Sequence, residues 1–134
     1  MSLGTWDPNI AAPDTAPLLD RALLQRLIDL DHEDSLAHLE QQLSEQDKQR
    51  LAALMKIDHA AWHSATETLP DADLIHLIRF FAVAENLPGW QAGAHSPVIP
   101  LAKLLRQRGV RLDKPLLQWL REVSDNRYLP YGPL

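Results

Sequence analysis

The segment D-A-D-L-I-H-L-I-R-F-F-A-V-A-E-N-L, residues 71–87, constrains the fold more than any other part of the chain. Its pattern predicts a helix over about residues 72–86 with apolar side chains around most of its circumference. The remaining narrow stripe consists of His76, Arg79, Val83 and Asn86. Because a helix that is apolar on so many sides has to be covered by other elements, we predict that it is the centre of the fold.

Leucine dominates over the residues that favour strands, with 25 Leu against 4 Val, 6 Ile and 4 Thr. Helix is therefore the expected state nearly everywhere. Apolar spacings of three and four residues, with cap residues such as Ser44 and Ser96, predict six or seven short helices. Residues 44–68 form either one helix or two, the second beginning at Asp58. The predicted fold is all-α: one domain over residues 1–134, a compact bundle of antiparallel helix pairs around the central helix.

Both ends of the chain are rich in proline. The start is predicted to be an extended arm over residues 1–16, because prolines interrupt it and no apolar period is present. At the other end, Asn126 is expected to adopt the left-handed conformation and end the last helix. Residues 127–134, R-Y-L-P-Y-G-P-L, then form a C-terminal strap whose prolines lower the entropy cost of ordering it. We expect the strap to fold back on the body near the loop at residues 87–97.

The net charge of -5 is divided unevenly along the chain. Residues 103–127 contain seven basic and three acidic residues, a net charge of +4, whereas the remainder carries -9. These two parts should attract each other, within one molecule or between two copies. A cytoplasmic location is expected from the absence of cysteine and of a secretory signal, and no apolar run reaches the roughly 20 residues that cross a bilayer.

A candidate binding surface combines loop 87–97 with the strap. Its residues are types that join a large apolar body to a polar tip or a charge, and such types are enriched at binding sites. They are Trp90, His95, Arg127, Tyr128 and Tyr131. The structural alternative is that Trp90 and Tyr128 close the ends of the helical bundle.

A candidate metal site follows from three polar residues spaced at four and four. His59, His63 and Glu67 would share one face of a helix, so two imidazoles and a carboxylate could converge on a divalent metal. The sequence H-A-A-W-H lacks the glutamate of H-E-x-x-H, and a further ligand has to come from elsewhere. Possible sources are His32, Glu33, Asp34 and His38. The alternative is an exposed polar face that leaves Trp62 on the core side.

No motif in the chain fixes a reaction. No serine lies in G-x-S-x-G, and G-W-Q-A-G at residues 89–93 lacks the lysine of a phosphate-binding loop. Nucleic acid is not the expected partner, because the connection before Pro115 is too long for a helix-turn-helix and most of the chain is acidic. No cofactor is expected apart from the possible metal.

The leading functional hypothesis is a non-catalytic protein-interaction module, or a protein that associates with itself. Two alternatives remain open. One is a metal-binding protein or metal-dependent enzyme that uses His59, His63 and Glu67. The other is a small-molecule binder at loop 87–97 and the strap.

Overall fold

A computed structural model of the chain describes residues 19–32 and 39–132. The predicted N-terminal arm lies outside the described residues, as do the last two residues of the strap. The described part is all-helical and has no strand, which confirms the predicted fold class. Its α-helices are α1 (Arg21–His32), α2 (Leu39–Gln42), α3 (Glu45–Leu51), α4 (His59–Thr66), α5 (Asp71–Ala84), α6 (Val98–Gln107) and α7 (Lys114–Val123). None of them has the length and apolar character that crossing a membrane requires.

Helix α5 is the central helix, as the sequence predicted. It packs against α1, α6 and α7. Five of its large apolar side chains are completely buried, namely Leu74, Leu77, Ile78, Phe80 and Phe81. At roughly 1.5 to 3 kcal/mol for each fully buried side chain, this helix contributes a large share of the hydrophobic stabilisation.

Four aromatic rings form the middle of the core. Phe81 of α5 meets Trp62 of α4 edge to face, with ring centroids 5.2 Å apart, and meets Phe80 at 5.0 Å. Phe80 in turn lies 6.5 Å from Trp90. Edge-to-face pairs of this kind stabilise beyond their buried area alone, so loop 87–97 is anchored to the core through Trp90.

The polar contacts show the relative directions of the last three long helices. Glu85, after the end of α5, contacts Ser96 before the start of α6, and Arg108 after α6 contacts Asp71 at the start of α5, so α5 and α6 are antiparallel. Arg79 of α5 stacks on Trp119 of α7. Further along the chain, Asn86 just after α5 donates to the carbonyl of Val123, the last residue of α7, so the two helices run in the same direction. This arrangement follows from two successive antiparallel connections.

Side-chain caps begin four of the helices, and at the start of α1 Asp20 Oδ1 accepts a hydrogen bond from Leu23 N at 2.8 Å. Ser44 Oγ accepts a hydrogen bond from Asp47 N at 3.0 Å, and Asp58 Oδ1 accepts one from Ala61 N at 2.8 Å. The cap at Asp58 decides the question left open for residues 44–68: α3 continues as a 3₁₀ segment, Ala52–Lys56, and α4 begins separately. Asp113 caps α7 in the same way. Each cap satisfies backbone N–H groups that the first turn leaves unpaired.

Arg108 closes the end of α6 and ties it to the α4–α5 connection. Gly109, with a φ of +79°, follows the end of the helix. The Arg108 guanidinium donates to the carbonyls of Leu69 at 2.8 Å and Glu67 at 2.7 Å, and to Asp71 Oδ1 at 2.8 Å. One side chain therefore satisfies two carbonyls that follow α4 and a carboxylate that begins α5.

Replacing Arg108 with alanine should lower the free energy of unfolding by about 1 to 2 kcal/mol, measured by urea denaturation. The two carbonyls lose a charged donor, while the partly exposed pair with Asp71 adds little. Arg108→Lys should retain only a small part of the stability that Arg108→Ala loses, because an ammonium group lacks the planar fork of donors. Lys103→Ala, at an exposed position of the same helix, is the control. Equal effects of Arg108→Ala and Lys103→Ala would contradict this role.

Candidate functional site

A cleft of about 460 Å³ opens between loop 87–97 and the chain that follows α7. It is lined by residues 85–86, 91–93 and 124–128. This volume is within the range of ligand pockets, about 300 to 1,000 Å³. The cleft overlaps the predicted binding surface at residues 91–93 of the loop and at Arg127 and Tyr128, whereas residues 124–126 precede the strap.

The wall of the cleft contains a buried carboxylate. Glu85, directly after α5, has only 5% of its surface exposed. Burial raises the pKa of its carboxyl group above the ordinary value, and hydrogen bonds from Ser96 and Asn126 oppose that shift. The Ser96 hydroxyl donates to Oε2, and Asn126 Nδ2 donates to Oε1 at 3.1 Å. Glu85 thus joins the end of α5 to the start of α6 and to the segment after α7.

Asn126 is the bridge between the two sides of the cleft. Its Nδ2 donates to Glu85 and also to the carbonyl of Gly93 at 2.9 Å, while its Oδ1 accepts from Tyr128 N at 3.0 Å. Ser124 Oγ accepts from Asn126 N at 3.1 Å and shapes the preceding turn. Helix α7 ends at Val123, and Ser124 already has an extended backbone. Asn126 therefore does not end the helix, contrary to the prediction. Its side chain instead joins the two sides of the cleft.

The C-terminal strap folds back on the body, as predicted. The guanidinium of Arg106 in α6 lies 4.5 Å from the centre of the Tyr131 ring. Gly132, with a φ of +89°, lies so close to α6 that a Cβ there would be 3.4 Å from Ile99. The Leu129–Pro130 peptide is cis. Asn126, directly before the strap, contacts Gly93 of loop 87–97, whereas Tyr131 and Gly132 of the strap itself lie against α6.

The five predicted binding residues have different positions. Arg127 and Tyr128 line the cleft, with the Arg127 guanidinium 5.2 Å from the Tyr128 ring. Tyr131 is half-buried against Arg106, and His95 is exposed outside the cleft lining. Trp90 is fully buried, and its indole N–H donates to the carbonyl of Lys48 at 2.9 Å. Trp90 therefore has the structural role that was its alternative interpretation.

Sequence reasoning missed the polar groups that build the cleft. Glu85 and Asn126 are single residues 41 positions apart in the chain, and no spacing rule relates them. The one available signal was Glu85 at the end of an otherwise apolar helix, where a negative charge is unfavourable near the helix C-terminus. A carboxylate in that position needs donors from another element.

The predicted metal ligands do not converge. His63 Nδ1 lies 3.7 Å from Glu67 Oε2, and its Nε2 lies 3.4 Å from Gln107 Oε1. His59 Nε2 is buried and, within the described ranges, has no hydrogen-bond partner, and the same holds for Trp62 Nε1. Among residues 19–32 and 39–132, no group of three His, Asp or Glu side chains is placed to hold a metal ion. Metal binding stays a prediction that depends on ligands from residues 32–38, whose side chains are outside the described set.

No protein-family model, no curated protein and no solved structure matches this chain. The groups that line the cleft determine what it can bind. It offers a protected carboxylate, side-chain amides, one tyrosine ring and a charged rim. These groups are suited to holding a polar ligand in a fixed orientation.

Glu85→Gln tests the buried carboxylate through the pH dependence of stability. A raised native pKa means that folded protein binds the Glu85 proton more tightly than unfolded protein does. Stability contributed by the neutral acid is therefore lost as the pH rises above the ordinary value of 4.5 and through the native pKa. Relative to Glu85→Gln, the wild-type protein should become progressively less stable over this interval in urea denaturation.

The matched control is Glu122→Gln, which removes an exposed carboxylate from α7. Its stability relative to the wild-type protein should change little over the same pH range. A pH-independent difference between the wild-type protein and Glu85→Gln, or a difference of opposite slope, would contradict the burial of Glu85.

Proposed function

We propose that this protein is a non-catalytic interaction module that binds a short segment of a protein partner in the cleft between loop 87–97 and the chain that follows α7. The observation that carries the proposal is the cleft itself, whose wall is fixed by the Glu85, Asn126 and Gly93 contacts. Its rim carries Asp125 and Arg127, which form no ion pair within the described ranges. A fixed wall with unpaired charges at its rim favours recognition of a polar chain.

Two side-chain amides support a peptide as the ligand. Asn86 Nδ2 donates to the carbonyl of Val123 at 2.6 Å, and Gln91 Nε2 donates to that of Leu87 at 3.3 Å. These bonds hold both side chains in place and leave their amide oxygens without a partner in the described part of the chain. Each oxygen can accept a hydrogen bond from a backbone N–H of a bound peptide. The Tyr128 ring adds an apolar surface beside them.

The hydroxyl groups of the region support binding and not catalysis. Ser96 is fully buried, donates to Glu85 and accepts from Val98 N at 3.2 Å. Ser124 Oγ accepts from the backbone N–H of Asn126. Both hydroxyls thus contribute to the local structure, and neither contacts a histidine that would act as a base.

Charge favours an acidic partner. Of the seven basic residues in the segment 103–127, only Arg108 forms an ion pair in the part of the chain that the structure describes. The other six are Lys103, Arg106, Arg111, Lys114, Arg121 and Arg127. Exposed basic groups of this kind accelerate association with an acidic surface. Because the rest of this chain is itself acidic, a second copy is the alternative partner.

Selection of peptides from a random display library against the intact protein tests the proposal. Selected peptides should include acidic residues, and their affinity can be measured by fluorescence polarisation. Arg127→Ala and Tyr128→Ala should each weaken binding about tenfold, since arginine and tyrosine are the residue types that dominate such interfaces. Lys56→Ala removes a positive charge from an exposed position outside both the cleft and the basic segment, and it should leave the affinity nearly unchanged.

Failure to select any peptide, or equal affinity for the wild-type protein and the Arg127→Ala variant, would contradict the proposal. Sedimentation velocity of the same variants distinguishes self-association. A dimer that Arg127→Ala weakens and Lys56→Ala does not would identify a second copy as the partner. The cytoplasmic location expected from the sequence stays a prediction.

A further inference from the structure

A second polar cluster lies at the junction of α1, α5 and α7, away from the cleft. Asp31 of α1 has only 4% of its side chain exposed. His76 Nδ1 lies 2.6 Å from Asp31 Oδ2, and Arg79 Nε lies 3.1 Å from both carboxylate oxygens. A buried carboxylate needs such partners, so Asp31 holds two side chains of the polar stripe of α5 in fixed positions.

Arg79 is held on a second side by Trp119 of α7. Its guanidinium carbon lies 4.4 Å from the centre of the indole ring, a cation–π contact. The contacts with Asp31 use only Nε, and both Nη groups form no hydrogen bond within residues 19–32 and 39–132. An arginine that is fixed by neighbours and still has free donors is organised for a ligand before the ligand arrives.

A pocket of about 430 Å³ adjoins this arginine. Arg111, from the connection between α6 and α7, also lines it and is exposed without an ion pair among the described residues. The apolar part of the lining includes Ile75, Leu112, Leu116 and Trp119. Asp113 lies there as well, but its Oδ1 accepts from Leu116 N as the cap of α7. The pocket therefore combines two guanidinium groups and the Asp113 carboxylate with an apolar wall.

We propose that this pocket is a binding site for a small organic carboxylate with an apolar body. Guanidinium groups are donors only, so a ligand has to supply acceptors, and a carboxylate matches their planar fork with two parallel hydrogen bonds. An inorganic anion would leave the apolar wall exposed to water. Only a ligand with a hydrocarbon part gains binding free energy by covering that wall. The ligand places its carboxylate toward Arg79 and Arg111 and its apolar body against Trp119 and Leu116.

The structural role of the cluster explains only part of this arrangement. Fixing α1 to α5 accounts for Asp31, His76 and the Nε of Arg79. It does not account for the free Nη groups or for Arg111 on the same pocket. The site is independent of the cleft, so either proposal can fail without the other.

NMR titration of the isotopically labelled intact protein tests the site, with benzoate, phenylbutyrate and octanoate as probes. The indole N–H signal of Trp119, assigned with a Trp119→Phe variant, should shift and saturate with at least one probe. The neutral amide of the probe that binds best should bind about tenfold more weakly, because it loses the charge-assisted hydrogen bonds. Inorganic phosphate should cause no saturable shift.

Arg111→Gln is the decisive variant, because Arg111 is exposed and has no described partner whose loss would unfold the protein. It should weaken binding of that probe about tenfold. Arg121→Gln, which removes the same charge from the surface of α7 outside this pocket, should leave the affinity within about twofold. The proposal is overturned if no probe gives a saturable shift, if acid and amide bind equally, or if the two variants have equal effects.

Discussion

The apolar surface of α5 has to be buried on nearly every side, and the rest of the structure is arranged around that requirement. Helices α1, α6 and α7 cover it, and the aromatic rings of Trp62 and Trp90 complete the cover. A helix buried in this way exposes little of its polar surface to water. Each polar group that it carries must then find a partner on another element, because an unpaired buried polar group is costly.

Both candidate sites lie where polar groups of α5 and its end meet such partners. Arg79 emerges between α1 and α7, where Asp31 and Trp119 fix it. Glu85 follows the end of the helix, where Ser96 and Asn126 supply donors. In each case the contacts that satisfy the central helix also fix groups at the edge of a pocket. A structural requirement and an organised binding surface therefore have the same origin.

The strap and loop 87–97 make the cleft possible because each is attached to the body independently. Trp90 anchors the loop through the core and the carbonyl of Lys48. Tyr131 and Gly132 lie against α6. Asn126 then needs only to bridge two segments that are already in place, which reduces the entropy cost of forming the cleft.

The sequence predicted the fold to the extent that local rules decide it. The apolar circumference of residues 72–86 identified the central helix, and the caps at Ser44 and Asp58 placed helix starts correctly. The prolines and apolar residues of the strap predicted that it would dock. These features depend on periodicity and on local hydrogen bonds, which a single sequence contains.

The contacts that build the two sites could not be predicted from the sequence, for a physical reason. The contacts of Glu85 with Asn126 and of Asp31 with Arg79 join residues 41 and 48 positions apart. Such pairs depend on how the helices pack, and no local pattern contains that information. Residue type alone was also ambiguous: Trp90 was a candidate for binding by its chemistry, yet its position makes it part of the core.

Asn126 fixes the cleft by donating to Glu85 and to Gly93 at the same time. The most direct measurement is NMR of the side-chain amide of Asn126 in the intact protein. Both of its protons should exchange slowly with water and show nuclear Overhauser contacts to Gly93. Exchange as fast as that of an exposed asparagine, without such contacts, would contradict this role of Asn126.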